Sequence, residues 1–280
     1  AYRNVLKQQF YKGIGIDHKV TDRLNLYHGF SHLGIKRMQM FGRALPPRID
    51  DQIESHTSQY QYYLQGRYNL HKGWSISSSL TYLWGKAVSN YFTFTANGIP
   101  FLNWYNYKIG DRLFTASIAK ELVMLRPKLS FAYGSINGIR QVQANGQLVI
   151  YPMGNNHIYL TSDIALHSDE SVDELKTVLN QKIGIKTGPL WLIAEGATGP
   201  MKNFAASDGY VVYNMAETVN SLYGLALYLP IYKYRLDVTA RYQVLSKEGT
   251  TFDYLNTSEF QEKSYKFNDN NFLISIRWYL

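Results

Sequence analysis

The stretch 27–34, YHGFSHLG, holds the most reactive combination of side chains in the chain, with His28, Ser31 and His32 close together. A serine hydroxyl within hydrogen-bond reach of an imidazole is the nucleophile–base pair of ester hydrolysis. In an extended segment, alternate side chains point to opposite faces, so His28 and His32 share one face and Ser31 takes the other. The hydroxyl and the base then cannot meet unless a neighbouring strand supplies a partner, and an outer-surface hydrolase would rest on these three residues alone. Carboxylates are also sparse. Asp163 and Glu195 belong to separate segments with no motif around them, and Asp50, Asp51, Glu54 and His56 form one loop cluster that a cation could visit. The acidic run 169–174, DESVDE, lacks the Asp-x-Asp-x-Asp-Gly spacing of a dedicated calcium loop. No phosphate-binding loop, dinucleotide fingerprint or zinc-binding helix motif occurs, and there is no cysteine. The expectation is a non-enzyme with no metal and no cofactor.

A second group of candidates is charged. Arg67, Lys182, Lys186, Arg235 and Arg241, with Asp237 among them, all take the face opposite an apolar stripe. If that face lines a pore, cations there favour anion passage; equally, Arg–Asp and Arg–Glu ladders, such as Arg235 and Arg241 around Asp237, would fill a closed lumen. Although Lys and Arg exceed Asp and Glu by 29 − 21 = 8, no basic cluster suits nucleic acid, which is not expected as a partner. A third candidate is 90–108, NYFTFTANGIPFLNWYNYK, where Tyr91, Phe92, Phe94, Phe101, Trp104, Tyr105 and Tyr107 crowd what reads as a loop. So much apolar surface should meet a partner or plug a channel mouth, with ANG at 96–98 turning a short hairpin.

The elements that would position these residues are strands. In 234–244, YRLDVTARYQV, and 74–84, WSISSSLTYLW, apolar and polar residues alternate with period two, and the same holds for 59–69, QYQYYLQGRYN. Runs of about eleven residues exceed the usual soluble strand of roughly 5–6 and match the roughly 9–11 needed to cross a bilayer at a tilt. Aromatic residues cap both ends of the apolar stripe, as at two membrane interfaces. Glycines in GIGI, 13–16, sit inside a strand, where they mark close packing or a bend.

The alternation predicts thirteen strands: 10–17, 23–40, 57–69, 74–85, 112–124, 128–134, 147–153, 157–166, 177–186, 190–197, 210–228, 234–245 and 269–280. Short links (18–22, 70–73, 126–127, 154–156, 187–189, 230–233) alternate with long ones (42–56, 86–111, 135–146, 167–176, 198–209, 246–268). Tight periplasmic turns and long extracellular loops have this pattern. The expectation is one antiparallel transmembrane β-barrel over 1–280, of about 14 strands with 12 or 16 as alternatives, because single-chain barrels of this class have an even number. A further strand is expected upstream of Ala1.

Charged residues are 18% of the chain and aromatics 15%, with 24 tyrosines, and no apolar stretch is long enough for a membrane helix. The chain ends NFLISIRWYL, in which Phe272, Ile274, Ile276, Trp278 and Leu280 share a face. This terminus resembles the assembly signal of outer-membrane proteins, although that signal usually ends in Phe or Trp. In pattern and composition the sequence resembles outer-membrane β-barrels, especially the Tyr- and Asn-rich barrels of Bacteroidota-type bacteria. The resemblance implies outer-membrane location in a Gram-negative cell and contact with outer-membrane lipid and lipopolysaccharide. It further implies insertion by the barrel-assembly machinery and room for other outer-membrane proteins as partners. The first functional expectation is a structural or interaction barrel, or the membrane anchor of a larger assembly. The alternative is a porin-like solute channel with a cationic lumen, and a lipid hydrolase comes third.

Overall fold

The computed structural model describes residues 2–41, 52–94, 100–231, 236–254 and 260–278. They form fifteen strands. The first five are β1 (Tyr2–Lys19), β2 (Leu24–Phe41), β3 (Gln52–Asn69), β4 (Trp74–Phe94) and β5 (Pro100–Lys120). Shorter strands follow: β6 (Leu125–Ile136), β7 (Ile139–Ile150), β8 (Ile158–Asp169), β9 (Val172–Thr187) and β10 (Leu190–Met201). After the small β11 (Phe204–Ala206) and β12 (Val211–Tyr213) come β13 (Thr218–Ile231), β14 (Leu236–Tyr254) and β15 (Phe260–Trp278). Thirteen of them form one antiparallel sheet in chain order; β11 and β12 pair only with each other.

The two faces of this sheet invert the rule for a soluble protein. Thr81, Asp111 and Gln143 are each about 1% exposed, whereas Leu129, Leu225 and Ile276 are 65%, 64% and 70% exposed. The sheet therefore curls with its polar face inside and its apolar face outside, which is favourable only when lipid covers the exterior. Trp74, Ile76, Leu80, Leu225 and Leu227 all lie on that exterior. Trp74 and Trp84 are ten residues apart on the outward side of β4. At about 3.3 Å per residue and a tilt of about 40°, they stand roughly 25 Å apart along the membrane normal, the height of an apolar band between two aromatic girdles.

Several links expected as loops are strands. β4 and β5 pair from Trp74↔Lys120 to Phe94↔Pro100, so most of 86–111 is ladder. Likewise 135–146 contains β7, entered by a tight turn at Asn137-Gly138, and 167–176 is the β8–β9 hairpin turned near Glu170-Ser171. β14 and β15 carry the ladder through most of 246–268. The strict short–long alternation fails at those two tight turns. The sequence misleads because polar residues continue the alternation beyond the apolar band, where hydrogen bonding to a neighbouring strand holds them. Residues 210–217, expected as the start of a strand, leave the sheet and fold inward.

With an odd count, β1 and β15 run in the same direction, so an antiparallel ladder cannot join them directly. No ladder links them among the described residues. The curled sheet nevertheless brings its two ends around one small cavity of about 140 Å³, with Leu6 and Gln9 of β1 facing Tyr265, Phe267 and Asp269 of β15.

Candidate functional site

The site is the lumen and the segment that crosses it. β10 carries an irregularity between Thr198 and Met201. There Gly199 adopts φ +123°, and a Cβ on it would lie 2.2 Å from the Thr177 carbonyl oxygen. Only glycine fits, and the bend turns the chain off the wall into the lumen. Phe204 and Met201 then pack with Ala165, Val178, Ala197, Val219, Leu222 and Leu245, an apolar core on the inner side of β8, β9, β10, β13 and β14. Ala205 is buried with Leu113 and Ala132 on the other side. Gln143 accepts from the Ala205 N–H (3.2 Å) and donates to its carbonyl (2.6 Å), so the segment is bonded to the wall as a strand would be.

From this anchor a tight turn reaches to the level of Leu80, midway down the apolar band. Ser207 and Asp208 take left-handed backbone conformations, followed by Gly209 at φ +83°. A Cβ on Gly209 would lie 3.1 Å from both Leu113 and Thr81 and 3.2 Å from Thr115, so the turn sits tight against the wall. The turn's polar groups are met from the opposite side of the barrel. Ser79 donates to the Asp208 carbonyl (2.5 Å) and Thr81 to the Gly209 carbonyl (2.7 Å). The Asp208 carboxylate pairs with Lys128 and accepts from Gln65 at 3.4 Å. Gln61 donates to the Tyr210 carbonyl (2.8 Å), and the Tyr210 ring packs edge-on against Tyr63 and Tyr27. Burial, reinforced by Tyr27, raises the Tyr210 hydroxyl to about 12, so it stays neutral at physiological pH.

The return path is held equally. Asn137 donates to both Asn203 (2.9 Å) and the Asn214 carbonyl (3.0 Å), and Asn214 donates to Gln59 (2.5 Å). Glu217 closes the segment with a two-pronged ion pair to Arg37 of β2, its second hydrogen bond 2.8 Å long. Burial would raise the Glu217 carboxyl, but the hydrogen bonds and charge of Arg37 outweigh it and hold the group below its ordinary range. Residues 202–217 thus span the lumen from β8–β10 and β13–β14 to β2–β7.

The described members of the lumenal charge set take part in a network of mixed sign. Lys182 and Arg241 both reach Glu195, Lys182 at 3.5 Å, and Gln243 donates to the same carboxylate at 3.0 Å. Arg67 lies 3.5 Å from Glu121, which also takes Arg126 at 2.9 Å. Lys186 sits over the Trp191 ring at 5.9 Å. Asp237 is buried and accepts from Tyr228 at 2.7 Å. Arg235 lies outside the described residues.

The remaining candidates separate. His28 faces outward and meets Tyr62 Oη at 2.8 Å, His32 meets Ser58 Oγ at 2.9 Å, and Ser31 is buried on the other face, so no dyad forms among them. Asp163 accepts from Gln147 at 3.1 Å. Glu54 pairs with Lys7 and lies 3.8 Å from His56. Asp50 and Asp51 lie outside the described residues. In the acidic run, Asp169 pairs with Lys176 at 2.9 Å and Ser171. Among the described residues no group of three His, Asp or Glu side chains is placed to hold a metal.

Of the aromatic candidates, Trp104 and Tyr105 are exposed and Tyr107 is half-buried. The backbones of Tyr91, Phe92, Phe94 and Phe101 continue the β4–β5 ribbon. Phe272, Ile274 and Ile276 face outward on β15, Trp278 pairs with Leu236, and Leu280 lies beyond the described residues. The sequence reading missed 202–217 altogether. Its one legible cue is SDGY at 207–210, a turn tetrapeptide inside a stretch read as loop and strand.

No protein-family model and no curated protein matches the chain. Among solved structures, a FadL homologue from Pseudomonas aeruginosa is similar over 95% of this chain and 77% of its own, with a TM-score of 0.63 at 11% identity. P. aeruginosa FpvA bound to heterologous pyoverdines covers 100% of this chain and 47% of its own, at a TM-score of 0.40 and 9% identity. The outer membrane transporter YddB from Escherichia coli covers 86% and 42%, at 0.35 and 10%. The last two scores are too low to bear on the argument. The first, together with the polar interior and apolar exterior, gives the chain the fold of an outer-membrane β-barrel.

Proposed function

We propose that this chain is a plugged channel of the bacterial outer membrane, admitting small polar solutes when 202–217 shifts. The supporting observation is the division of that segment into two halves. Phe204 and Ala205 anchor it in apolar cores, while the tip at 207–209 is held across the lumen by hydrogen bonds and one ion pair. Water or a polar solute can replace such polar contacts at small net cost, because each exchanges one hydrogen bond for another. Apolar packing has no such substitute. The turn can therefore swing while the anchor stays. Solutes passing it would meet the Lys182–Glu195–Arg241 network, whose mixed signs give size selection more weight than anion preference. The reading assigns the chain no catalytic step. Insertion by the barrel-assembly machinery belongs to the same proposal.

Swelling of proteoliposomes in sugars of graded size tests the reading. The intact chain should admit solute slowly, and a variant with 203–213 replaced by a Gly-Ser linker should admit it fast. Equal rates for both, with heat-modifiable barrel confirmed in each, would sink the channel.

A second reading, a structural barrel within a larger assembly, draws on the β4–β5 ribbon. Trp104 and Tyr105 are 58% and 54% exposed where the ribbon rises past the first β5–β6 pair at Leu113↔Gly134. Exposed rings at a ribbon's end suit a protein partner. Replacing both with Ser should release such a partner and leave solute entry unchanged.

A further inference from the structure

The barrel wall has one place where backbone pairing does not fasten it. β1 and β15 run in the same direction, and no ladder joins them among the described residues. Elsewhere in the wall each strand is held to the next by a row of N–H···O=C bonds; at a free edge nothing of the kind resists separation. Side chains must do there what the ladder does elsewhere. Residues 215–217, the last of the plug, lie on the inner side of this gap. Met215 and Glu217 line the cavity of about 140 Å³ together with Leu6 and Gln9 of β1 and Phe267 and Asp269 of β15.

Glu217 belongs to both sides of the gap. Its backbone leads straight into β13, which is laddered to β14 from Thr218↔Glu248 onward, and β14 carries β15. Its carboxylate accepts from both terminal nitrogens of Arg37 on β2, the second at 2.8 Å. Arg37 stands opposite Leu6 of β1, so this one pair runs from one edge region to the other. Met215 supplies a second tie. Lys247 of β14 donates to its thioether sulfur at 3.3 Å and pairs with Asp269 of β15. Glu217 and Lys247 are both buried, so solvent screens these contacts little. A buried ion pair is expensive to assemble, because both charges lose their hydration, and apolar residues of like volume would pack a plug stem as well. What the pair adds is reach and direction. A long guanidinium from one edge grips a carboxylate fixed to the other, in a two-pronged geometry that resists sliding.

We propose that 215–217 is a clasp that closes the wall across the gap between β1 and β15. The plug then has two mechanical parts. Its tip at 207–209 is free to move, whereas its stem at 215–217 stays fixed, since releasing the stem lets the wall part. These contacts need no solute to pass, so the clasp can fail while the channel reading holds, and the reverse.

The chain has no cysteine, so spin labels attach only where cysteines are introduced. Gln8→Cys on β1 and Asn268→Cys on β15 put one label on each edge; both positions are exposed and neither belongs to the clasp. Double electron–electron resonance reads the distance between them, with the whole chain in phosphatidylcholine bilayers. Glu217→Gln should lengthen that distance by about 5 Å, one strand spacing, and broaden its distribution. Asp208→Asn, which frees only the tip, should leave it unchanged. A distance unmoved by Glu217→Gln overturns the proposal, because backbone pairing, from whatever strand, then holds the wall. So does an equal lengthening by Asp208→Asn, which would make the whole plug the fastening rather than 215–217. Should Glu217→Gln fail to fold because Arg37 is left buried and unpaired, Arg37→Ala/Glu217→Ala serves instead. It removes both charges, so it should insert and still show the longer distance. A native distance in that double variant equally overturns the clasp.

Discussion

Asp208→Asn is the sharpest perturbation of the plug. The left-handed backbone at Asp208, φ 56°, suits asparagine as well as aspartate, so the turn itself should survive. The substitution removes one charge and leaves Lys128 without its partner. Both side chains are largely covered, at 17% exposure for Lys128 and 13% for Asp208, so solvent screens the pair only in part. A hydrogen bond to a charged group is worth about 1.5–3 kcal/mol. At about 1.4 kcal/mol per factor of ten, losing it shifts the open-to-closed ratio of the turn by roughly 10- to 150-fold. From an open fraction of about 1%, that gives roughly 10–60% open. Single-channel recording in planar bilayers reads this directly as open probability, with unitary conductance unchanged because the wall is untouched. Lys128→Gln should act alike, and the double variant should open no more than either single one, since both remove the same interaction. Open probabilities within twofold of the native chain for both single variants would refute a plug tip held by this pair.

Leu80→Arg, midway between Trp74 and Trp84 on the lipid face, should cost roughly 2–4 kcal/mol in urea refolding into vesicles, whereas Ser79→Arg, facing inward, should disturb gating more than membrane stability. Gly199→Val forces a side chain against the Thr177 carbonyl at a positive φ; about 1–3 kcal/mol of strain should expel 202–217 from the wall, visible as faster protease cleavage there. The Glu217 latch has a defined acid limit. Its carboxyl is held below its unfolded value of about 4.3, so the stabilisation is complete above that pH and disappears as pH falls through the folded value. Open probability should therefore be flat at neutral pH and rise below about pH 4, and Glu217→Gln, which breaks the Arg37 pair at every pH, should raise it already at neutral pH.

Period-two alternation by itself determined the class of fold, because burial inside a barrel and exposure to lipid impose opposite chemistry on successive residues. WSISSSLTYLW names both faces of β4, and Trp74 and Trp84 fix the thickness of the membrane it crosses. The same parity separates Ser31 from His28 and His32 and puts Lys182 and Arg241 inside. What lies beyond the apolar band was less legible. At 246–268 polar residues occupy both faces, so alternation no longer distinguishes a ladder from a loop and only the paired neighbour strand decides, whereas at 135–146 the alternation of Gln141, Val142, Gln143 and Ala144 is present but short and interrupted by the Asn137-Gly138 turn. Register lay beyond reach for the same reason: that Lys182 and Arg241 share Glu195 follows from how β9, β10 and the more distant β14 align. The plug depended most on tertiary structure. Residues 202–217 have no period and no long apolar run, and their place is set by contacts from β2 to β14. A segment stabilised almost wholly by partners far along the chain leaves little trace in its own sequence.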